Sequence, residues 1–230
     1  MKKIVVLTGA GMSAESGIST FRDSNGLWEE YRVEDVATPE AFAKNPALVL
    51  DFYNQRRRQL LGAEPNGGHY GLVELEKDFE VRIVTQNVDD LHERAGSTSV
   101  LHLHGELMKV CPADDMKTTY ELSAERPEIG VGDTDERGVQ LRPFIVWFGE
   151  PVPMIMKAAE IVEQADVCVV IGTSLQVYPA AGLLNYVRRG TPIYLIDPKP
   201  VPTVVHEVRI IKTGATEGVR QLAMMLEDYV

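Results

Sequence analysis

Short apolar runs recur along the 230-residue chain and alternate with segments of helical periodicity. The runs are rich in β-branched residues and cover residues 3–7, 81–84, 167–171 and 193–196. Runs of this kind are typical of strands that are buried on both faces of a parallel sheet. The helical segments between and after them cover residues 71–77, 154–165, 180–188 and 216–226. This alternation predicts an α/β fold with a doubly wound parallel sheet.

Two stretches interrupt the alternation, at about residues 25–64 and 108–142. The first has a helical pattern, in which Thr38 is a predicted cap and Pro39 lies in the first turn. The second is rich in Asp, Glu, Gly and Thr and has little apolar periodicity. We interpret the two stretches as insertions that form a small lobe. The large lobe is then built from about residues 1–24, 65–107 and 143–230, and a crevice lies between the lobes.

Composition and charge restrict the class of protein further. The chain is 44% hydrophobic and 25% charged, as in ordinary soluble globular proteins. Its net charge of −11 argues against a protein that coats nucleic acid. It has no run of about 18 apolar residues, the length that would cross a membrane, and the apolar stretch at the start is too short for a signal peptide. The two cysteines, Cys111 and Cys168, suggest no disulfide framework, so we expect a cytoplasmic protein.

A glycine-rich turn follows the first predicted strand. It has the pattern Gly9-x-Gly11-x-x-Ala14. Glycines at a strand end let the backbone turn sharply and approach a pyrophosphate, whose charge then faces the N–H groups of a helix start. The same pattern also occurs where a turn is only tightly packed.

Two further polar clusters are expected near this turn. The sequence Thr85-Gln86-Asn87-Val88-Asp89-Asp90 follows the second predicted strand, and Leu101-His102-Leu103-His104-Gly105-Glu106 comes soon after. Ligands of open α/β sheets bind at the carboxyl ends of the strands. We therefore expect these clusters to face one crevice.

Taken together, the chain resembles the sirtuin family, the NAD-dependent protein-lysine deacylases. The matching segments occur in the family's order and are GAGMSAESGISTFR (9–22), TQNVD (85–89), LHGE (103–106), VWFGE (146–150) and Gly172-Thr173-Ser174 followed by Val177 and Pro179. The resemblance implies a Rossmann-like large lobe, NAD as cofactor, acyl-lysine proteins as substrates and a monomer.

The resemblance also implies a set of NAD-binding residues. They are Gly9, Ala10, Gly11, Met12, Ser13, Glu15, Phe21, Arg22, Trp28, Gln86, Asn87, Val88, Asp89, Gly172, Thr173, Ser174, Asp197 and Ala215. Asp197 stands where the family has an asparagine that contacts the adenosine ribose. A carboxylate there can accept from ribose hydroxyls and disfavours a 2′-phosphate. A plain strand-to-helix turn would give a sequence similar to Gly172-Thr173-Ser174.

In the family's reaction the acyl oxygen attacks the ribose carbon as nicotinamide departs, and the products are free lysine, nicotinamide and 2′-O-acyl-ADP-ribose. The resemblance makes His104 the general base for a ribose hydroxyl, a role that suits a neutral imidazole. It places Asn87 and Asp89 in the nicotinamide pocket. The alternatives are a structural histidine at 104 and an Asx turn at 87–89.

Substrate recognition is assigned to two segments. Tyr53 and Arg56 lie three residues apart on one helix face and resemble the Tyr-x-x-Arg signature of sirtuins that remove succinyl and malonyl groups, and Ala37 matches the small residue of that pocket. The alternative is a solvated basic run, 56–58. We expect Arg56 to point inward and Arg57 outward. In the second segment, Val146, Phe148, Gly149 and Glu150 resemble the stretch that pairs with the substrate backbone as an added strand.

The sequence departs from the family at its structural zinc site, which most members build from two Cys-x-x-Cys pairs. Here Cys111 is the remaining cysteine, and Asp114, Asp133 and Glu136 stand near the other positions. One thiolate with three carboxylates is a poor zinc site, so we expect no tightly bound zinc. Cys111 can equally be a small apolar core residue.

Other functions of a dinucleotide-binding chain were compared with deacylation. A mono-ADP-ribosyltransferase would use the same bound NAD with another nucleophile, and a non-catalytic sensor would only bind NAD or ADP-ribose. Retention of His104, Asn87 and Asp89 argues against the sensor. A hydride-transferring dehydrogenase is the weakest alternative, because its acidic ribose residue should end the second strand, where TQNVD stands instead.

Overall fold

The computed structural model describes residues 1–18, 31–173, 178–200 and 208–229. Within these ranges the strands are β1 (Lys3–Thr8), β2 (Glu80–Thr85), β3 (Val100–His102), β4 (Gly105–Pro112), β5 (Tyr120–Glu121), β6 (Leu141–Ile145), β7 (Val167–Ile171), β8 (Ile193–Ile196) and β9 (Val208–Ile211). The α-helices are α1 (Val33–Val36), α2 (Pro39–Lys44), α3 (Pro46–Leu61), α4 (Gly67–Leu75), α5 (Leu91–Ala95), α6 (Ile155–Glu163) and α7 (Ala215–Leu226). Short 3₁₀ helices cover Ala10–Met12, Ala14–Ser16, Ala180–Tyr186 and Glu227–Tyr229.

Six strands form one parallel sheet in the order β3-β2-β1-β7-β8-β9. The strands β2 and β3 follow β1 in the chain and lie on one side of it. The later strands β7, β8 and β9 lie on the other side. The sheet therefore has its topological switch point between β1 and β7, where such folds bind ligands at the carboxyl ends of the strands. The predicted doubly wound α/β fold is confirmed.

The central strands are buried on both faces, as their continuous apolar sequence predicts. Ile4 and Val6 of β1 pack in one cluster with residues of α4 and α7, among them Leu72 and Leu222. Val5 and Leu7 face the opposite cluster, to which α6 contributes Ala158, Ala159 and Val162. The two faces of the sheet thus bury alternate residues of the same strands.

A second, antiparallel sheet has the order β5-β4-β6 and is separate from the first. A third apolar cluster joins it to the helices around α3 and includes Phe52, Leu107, Ile145 and Trp147. As predicted, Thr38 caps α2: its hydroxyl accepts from the Ala41 N–H at 3.1 Å, with Pro39 in the first turn. The assignment of residue ranges to two lobes stays a prediction.

Other observed elements refine the sequence-based boundaries. The helix predicted at 71–77 begins earlier, at Gly67, because the Asn66 side chain accepts from the Gly68 N–H and caps it. The helix predicted at 180–188 is a 3₁₀ helix, Ala180–Tyr186. Among the helices of the described ranges, none is long and apolar enough to cross a bilayer.

Candidate active site

The turns that follow β1 and β7 touch backbone to backbone. The Gly9 N–H donates to the Ile171 carbonyl at 3.0 Å, and the Gly11 N–H donates to the Gly172 carbonyl at 2.8 Å. A Cβ on Gly11 would lie 2.6 Å from the Gly172 Cα, and a Cβ on Gly172 would lie 2.4 Å from the Gly11 carbonyl carbon. Gly172 also has a φ of +62°, which other residues adopt only with strain. Glycine is therefore required on both sides of this contact.

Behind the turn, a buried hydrogen-bonded network joins the first motif to the TQNVD motif. The Ser13 hydroxyl donates to Asp89 Oδ2 at 2.9 Å, and Asn87 Nδ2 donates to Ser13 Oγ at 3.1 Å. These three side chains are between 0% and 7% exposed. Burial raises the pKa of Asp89, although its bonds from Ser13 and the Leu91 N–H favour the charged form. Asn87 and Asp89 thus lie together next to the glycine turn.

His104 is held in one tautomer by its neighbour. Its Nδ1 lies 3.0 Å from the Gln86 carbonyl oxygen, which can only accept, so Nδ1 carries the hydrogen and Nε2 keeps a free lone pair. Burial lowers the pKa of His104, so the ring is neutral at pH 7. Gln86 Nε2 donates to Thr173 Oγ1 at 3.0 Å, which ties this corner to the turn after β7. Such a histidine can accept a proton at Nε2.

Two helix starts support the glycine turn, and sequence reasoning missed most of their residues. Asn66 Nδ2 donates to the Met12 carbonyl at 2.8 Å and to Ser16 Oγ at 3.0 Å. Glu15 Oε1 accepts from the Thr216 N–H at 3.1 Å, at the start of α7. The Asn66-Gly67-Gly68 sequence, a typical cap and helix start, was the available signal.

A pair of buried histidines lies under the same region and was also missed. His92 Nε2 lies 3.2 Å from the Thr8 hydroxyl at the end of β1, and the rings of His69 and His92 pack edge to face with centroids 4.9 Å apart. Both side chains are fully buried. Burial lowers the pKa of His69 to about 4 and that of His92 to about 3, so both are neutral near pH 7.

The remaining predicted NAD residues are spread along the same sheet edge. Asp197 directly follows β8, is 7% exposed, and accepts from the Lys199 N–H at 2.7 Å. Ala215 is the first residue of α7, and the Val88 carbonyl accepts from the Leu107 N–H at 2.8 Å. Four predicted residues lie outside the described ranges: Phe21, Arg22, Trp28 and Ser174.

Tyr53 and Arg56 both lie on α3, three residues apart. Tyr53 is 3% exposed and its hydroxyl oxygen accepts from Trp147 Nε1 at 2.9 Å. Burial raises the pKa of Tyr53 to about 12, so the phenol keeps its hydrogen. Burial also lowers the pKa of Arg56, and the nearby charges of Tyr53 and Asp89 oppose this effect. The effect of Asp89 shows that the two side chains lie within electrostatic reach of each other.

The prediction that Arg57 points outward is wrong. Its side chain is fully buried, Nε donates to the Leu107 carbonyl at 2.8 Å, and Nη1 donates to Asn54 Oδ1 at 2.8 Å. The physical reason is the packing of α3 against β4, which places Arg57 on the same helix face as Tyr53 and Leu60. Of the run 56–58, only Arg58 is exposed.

The predicted peptide-binding segment is fixed at several points. The Val146 N–H donates to the His104 carbonyl at 2.9 Å, and the Phe148 N–H donates to the Ala37 carbonyl at 3.0 Å. The Glu150 carboxylate pairs with Arg142 through two bonds of 2.6 and 3.0 Å. The segment leaves the end of β6 beside His104 and ends in a turn at Gly149, whose φ is +91°.

The residues at the family's zinc position do not fit that metal. Cys111 is buried with Sγ 3.4 Å from Met116 Sδ. Asp114 is already paired with the guanidinium of Arg137. Arg137 Nη2 donates to Asp114 Oδ1 at 2.9 Å, and Arg137 Nε donates to Asp135 Oδ2 at 2.8 Å. Within the described ranges, no group of three His, Cys, Asp or Glu side chains could hold a metal ion. Two other candidate side chains do not join Cys111: Asp133 accepts from the Gly130 N–H, and Glu136 is exposed.

Comparisons with known proteins agree with this geometry. A family model described as "Sir2 family" matches residues 9–179. A relative from Bacteroides thetaiotaomicron is 60% identical over 98% of both chains, and one from Helicobacter pylori is 54% identical over 86% of both; each is named "NAD-dependent protein deacylase". A solved Sir2 homologue in complex with ADP-ribose superposes with a TM-score of 0.90 at 41% identity, covering 99% of this chain and 93% of the other. A Sir2 homologue in complex with NAD gives a TM-score of 0.89 at 42% identity, covering 99% and 90%. The chain therefore belongs to the Sir2, or sirtuin, family.

Proposed function

We propose that this protein is an NAD-dependent protein-lysine deacylase that prefers acidic acyl groups, succinyl and malonyl, and also removes acetyl. The observation that carries the proposal is the geometry of His104, a neutral imidazole whose Nε2 is left as a base by the Gln86 carbonyl. The chain belongs to a family whose close relatives here are named NAD-dependent protein deacylase. These names do not favour mono-ADP-ribosyl transfer or a non-catalytic sensor.

The residues at the sheet edge fit NAD. The contact between Gly11 and Gly172 leaves a bare backbone turn at the switch point, where a Cβ would fill the space. Bound NAD supplies the ribose carbon that receives the acyl group. Asn87 and Asp89 orient the nicotinamide end, and His104 Nε2 takes a proton from a ribose hydroxyl. Asp197 accepts from the adenosine ribose.

The residues proposed for the acyl pocket suit an acidic acyl group. Arg56 supplies a guanidinium, and Tyr53 supplies a hydroxyl that stays protonated. An arginine binds a carboxylate with two parallel hydrogen bonds, which a neutral acetyl group cannot use. Ala37 is 4% exposed and packs in the same apolar cluster as Tyr53, where its single methyl group takes up little space. The acyl-lysine backbone would pair with residues 146–150.

One assay tests both the reaction and the preference. The same peptide carrying succinyl-, malonyl- or acetyl-lysine is incubated with NAD, and nicotinamide release gives kcat/KM for each. We expect His104→Ala to lower kcat at least about 100-fold, as for loss of a general base. Arg56→Met should lower kcat/KM for the succinyl peptide by about 30- to 100-fold, as for loss of a charged hydrogen-bonded pair.

The matched control is Arg58→Met, because Arg58 is the exposed arginine of the same helix and pairs with Glu128. It should leave the ratio of succinyl to acetyl kcat/KM unchanged. Equal nicotinamide release by His104→Ala and the parent contradicts the deacylase assignment. Intact succinyl activity in Arg56→Met contradicts the acidic-acyl preference alone.

We also propose that the protein holds no structural zinc. It is supported by the ion pairs of Arg137 with Asp114 and Asp135, because a carboxylate that is paired with a guanidinium is a poor metal ligand. Elemental analysis of protein expressed with added zinc should find well under one equivalent, and one retained equivalent would overturn this part. The monomeric state and cytoplasmic location stay predictions.

A further inference from the structure

Trp147 occupies a position that the proposed mechanism has not used. It lies between the peptide-binding residues Val146 and Phe148, but its side chain is 2% exposed and points into the cluster around α3. Its Nε1 donates to the hydroxyl oxygen of Tyr53 at 2.9 Å. The indole therefore contacts the proposed acyl-pocket residue from the protein side.

This contact fixes what the Tyr53 hydroxyl can do. An indole N–H is only a donor, whereas a phenol has one hydrogen to donate and lone pairs to accept. Because the oxygen accepts from Trp147, its own hydrogen must point to another acceptor. Among the described residues, the bond from Trp147 is the one hydrogen bond of the Tyr53 hydroxyl.

The indole itself is held on several sides. The Arg142 guanidinium carbon lies 3.4 Å from the centroid of the Trp147 ring, and Arg142 pairs with Glu150 through two bonds. Glu150 Oε2 also accepts from the backbone N–H of Trp147 at 2.7 Å. On another side, the Phe42 ring lies with its centroid 5.3 Å away. The donor direction of Nε1 is thus fixed by packing and charge.

We propose that Trp147 is a positioning residue that selects acyl groups ending in a carboxylate, because its indole N–H occupies a lone pair of the Tyr53 hydroxyl and leaves the hydroxyl hydrogen to donate to the acyl group. The inference rests on the proposed function. A carboxylate has only acceptors to offer and matches this hydroxyl together with Arg56. An acetyl group has no terminal acceptor to receive the bond.

A double-mutant cycle tests the inference. Trp147→Phe, Tyr53→Phe and the double variant are compared with the parent for kcat/KM on succinyl and acetyl versions of one peptide. We expect Trp147→Phe to lower the succinyl-to-acetyl ratio about fivefold, the effect of one neutral hydrogen bond, mainly through a higher KM for the succinyl peptide. In the Tyr53→Phe background the same change should not lower the ratio further.

Loss of packing is separated from loss of the N–H by a second variant. Benzothienylalanine at position 147 keeps the shape of tryptophan but has sulfur in place of N–H, and it should lower the ratio as Trp147→Phe does. Phe42→Leu alters the packing of the indole without removing the N–H and should leave the ratio unchanged.

The outcomes distinguish this inference from the proposed function. If Tyr53→Phe and Arg56→Met lower the ratio but both Trp147 variants leave it unchanged, Trp147 is not a positioning residue and the proposed function stands. The inference is also overturned if Trp147→Phe lowers the succinyl-to-acetyl ratio equally in the parent and in the Tyr53→Phe background. In that case the effect of Trp147 does not depend on the Tyr53 hydroxyl. If the parent has no succinyl preference and neither Tyr53→Phe nor Arg56→Met changes the ratio, the proposed acyl preference itself fails, and the inference fails with it.

Discussion

The carboxyl edge of the parallel sheet and the distal loop, residues 113–140, are both made of turns, but different forces hold them. At the sheet edge, backbones touch at Gly11 and Gly172, and buried polar groups such as Ser13 and Asp89 satisfy one another. In the distal loop, Arg137 pairs with Asp114 while both side chains are about half exposed, and Gly138 has open space around it. Close packing and buried hydrogen bonds fix a geometry, whereas exposed ion pairs contribute little to it.

The largest expected difference in the free energy of unfolding is between alanine variants of two glycines with positive φ, Gly172 and Gly138. Gly172→Ala adds backbone strain and forces a Cβ against Gly11, which together should lower the free energy of unfolding by about 4 kcal/mol. Gly138→Ala adds only the strain of its φ of +80°, about 1 kcal/mol, because no atom lies within 4 Å of the new Cβ. Urea denaturation measures both.

NAD binding gives a second comparison of the same two glycine variants. Any Gly172→Ala protein that folds should bind NAD weakly in calorimetry, since the turn must shift, while Gly138→Ala should bind as the parent does. Equal losses of stability in the two variants would show that the contact between the turns does not matter.

The next effect is acid sensitivity at the sheet edge. In the unfolded chain His69 and His92 bind protons near their ordinary pKa of 6.5, but in the folded protein only near pH 4 and 3. Their contribution is therefore complete above about pH 7.5 and is lost as the pH falls below 6.5, because the unfolded state binds more protons. Between pH 7 and 5 the loss should be on the order of 2 kcal/mol for each histidine.

His92→Gln separates this loss from the titration of carboxylates. The variant should be less stable than the parent at pH 7.5, but its free energy of unfolding should fall by about 2 kcal/mol less between pH 7 and 5. Identical pH dependence in both proteins would mean that folding does not lower the pKa of His92.

The smallest effect is expected in the distal loop. Arg137→Met removes the half-exposed ion pair with Asp114 and the pair with Asp135. The Asp135 side chain is 1% exposed but keeps its bonds from the backbone N–H groups of residues 137 and 139, so the free energy of unfolding should fall less than in the variants above. High salt should reduce the difference further, and NAD binding should not change. A loss of several kcal/mol in urea denaturation would show that the distal loop is held as firmly as the sheet edge.

Sequence reasoning succeeded where one force dominates. The strands predicted at 167–171 and 193–196 have the observed bounds, because continuous β-branched runs are favourable only when both faces are covered. The motifs also indicated which turns meet at the switch point, since Gly9, Asn87 and Gly172 each follow a strand of the same sheet. Two strands, β4 (Gly105–Pro112) and β9 (Val208–Ile211), could not be found this way because their burial is mixed. Buried and half-buried positions alternate irregularly in β4, and β9 has exposed positions as well.

Pairwise tertiary contacts were beyond the same reasoning. The charge pattern of 56–58 cannot show that Arg57 bonds the Leu107 carbonyl, because that partner comes from a strand 50 residues later. The bond from Trp147 to Tyr53 spans 94 positions and leaves no local signal either. Long-range polar partners depend on how elements pack, which periodicity does not encode.

The glycine turn is completed only by late parts of the chain. β1 lies between β2 and β7, so one of its edges has no neighbour until residues 167–171 have been made, and Glu15 meets its partner Thr216 across 201 positions. During synthesis, β1 therefore keeps the N–H and C=O groups of one edge unpaired until β7 has been made, and such an edge can pair with other chains.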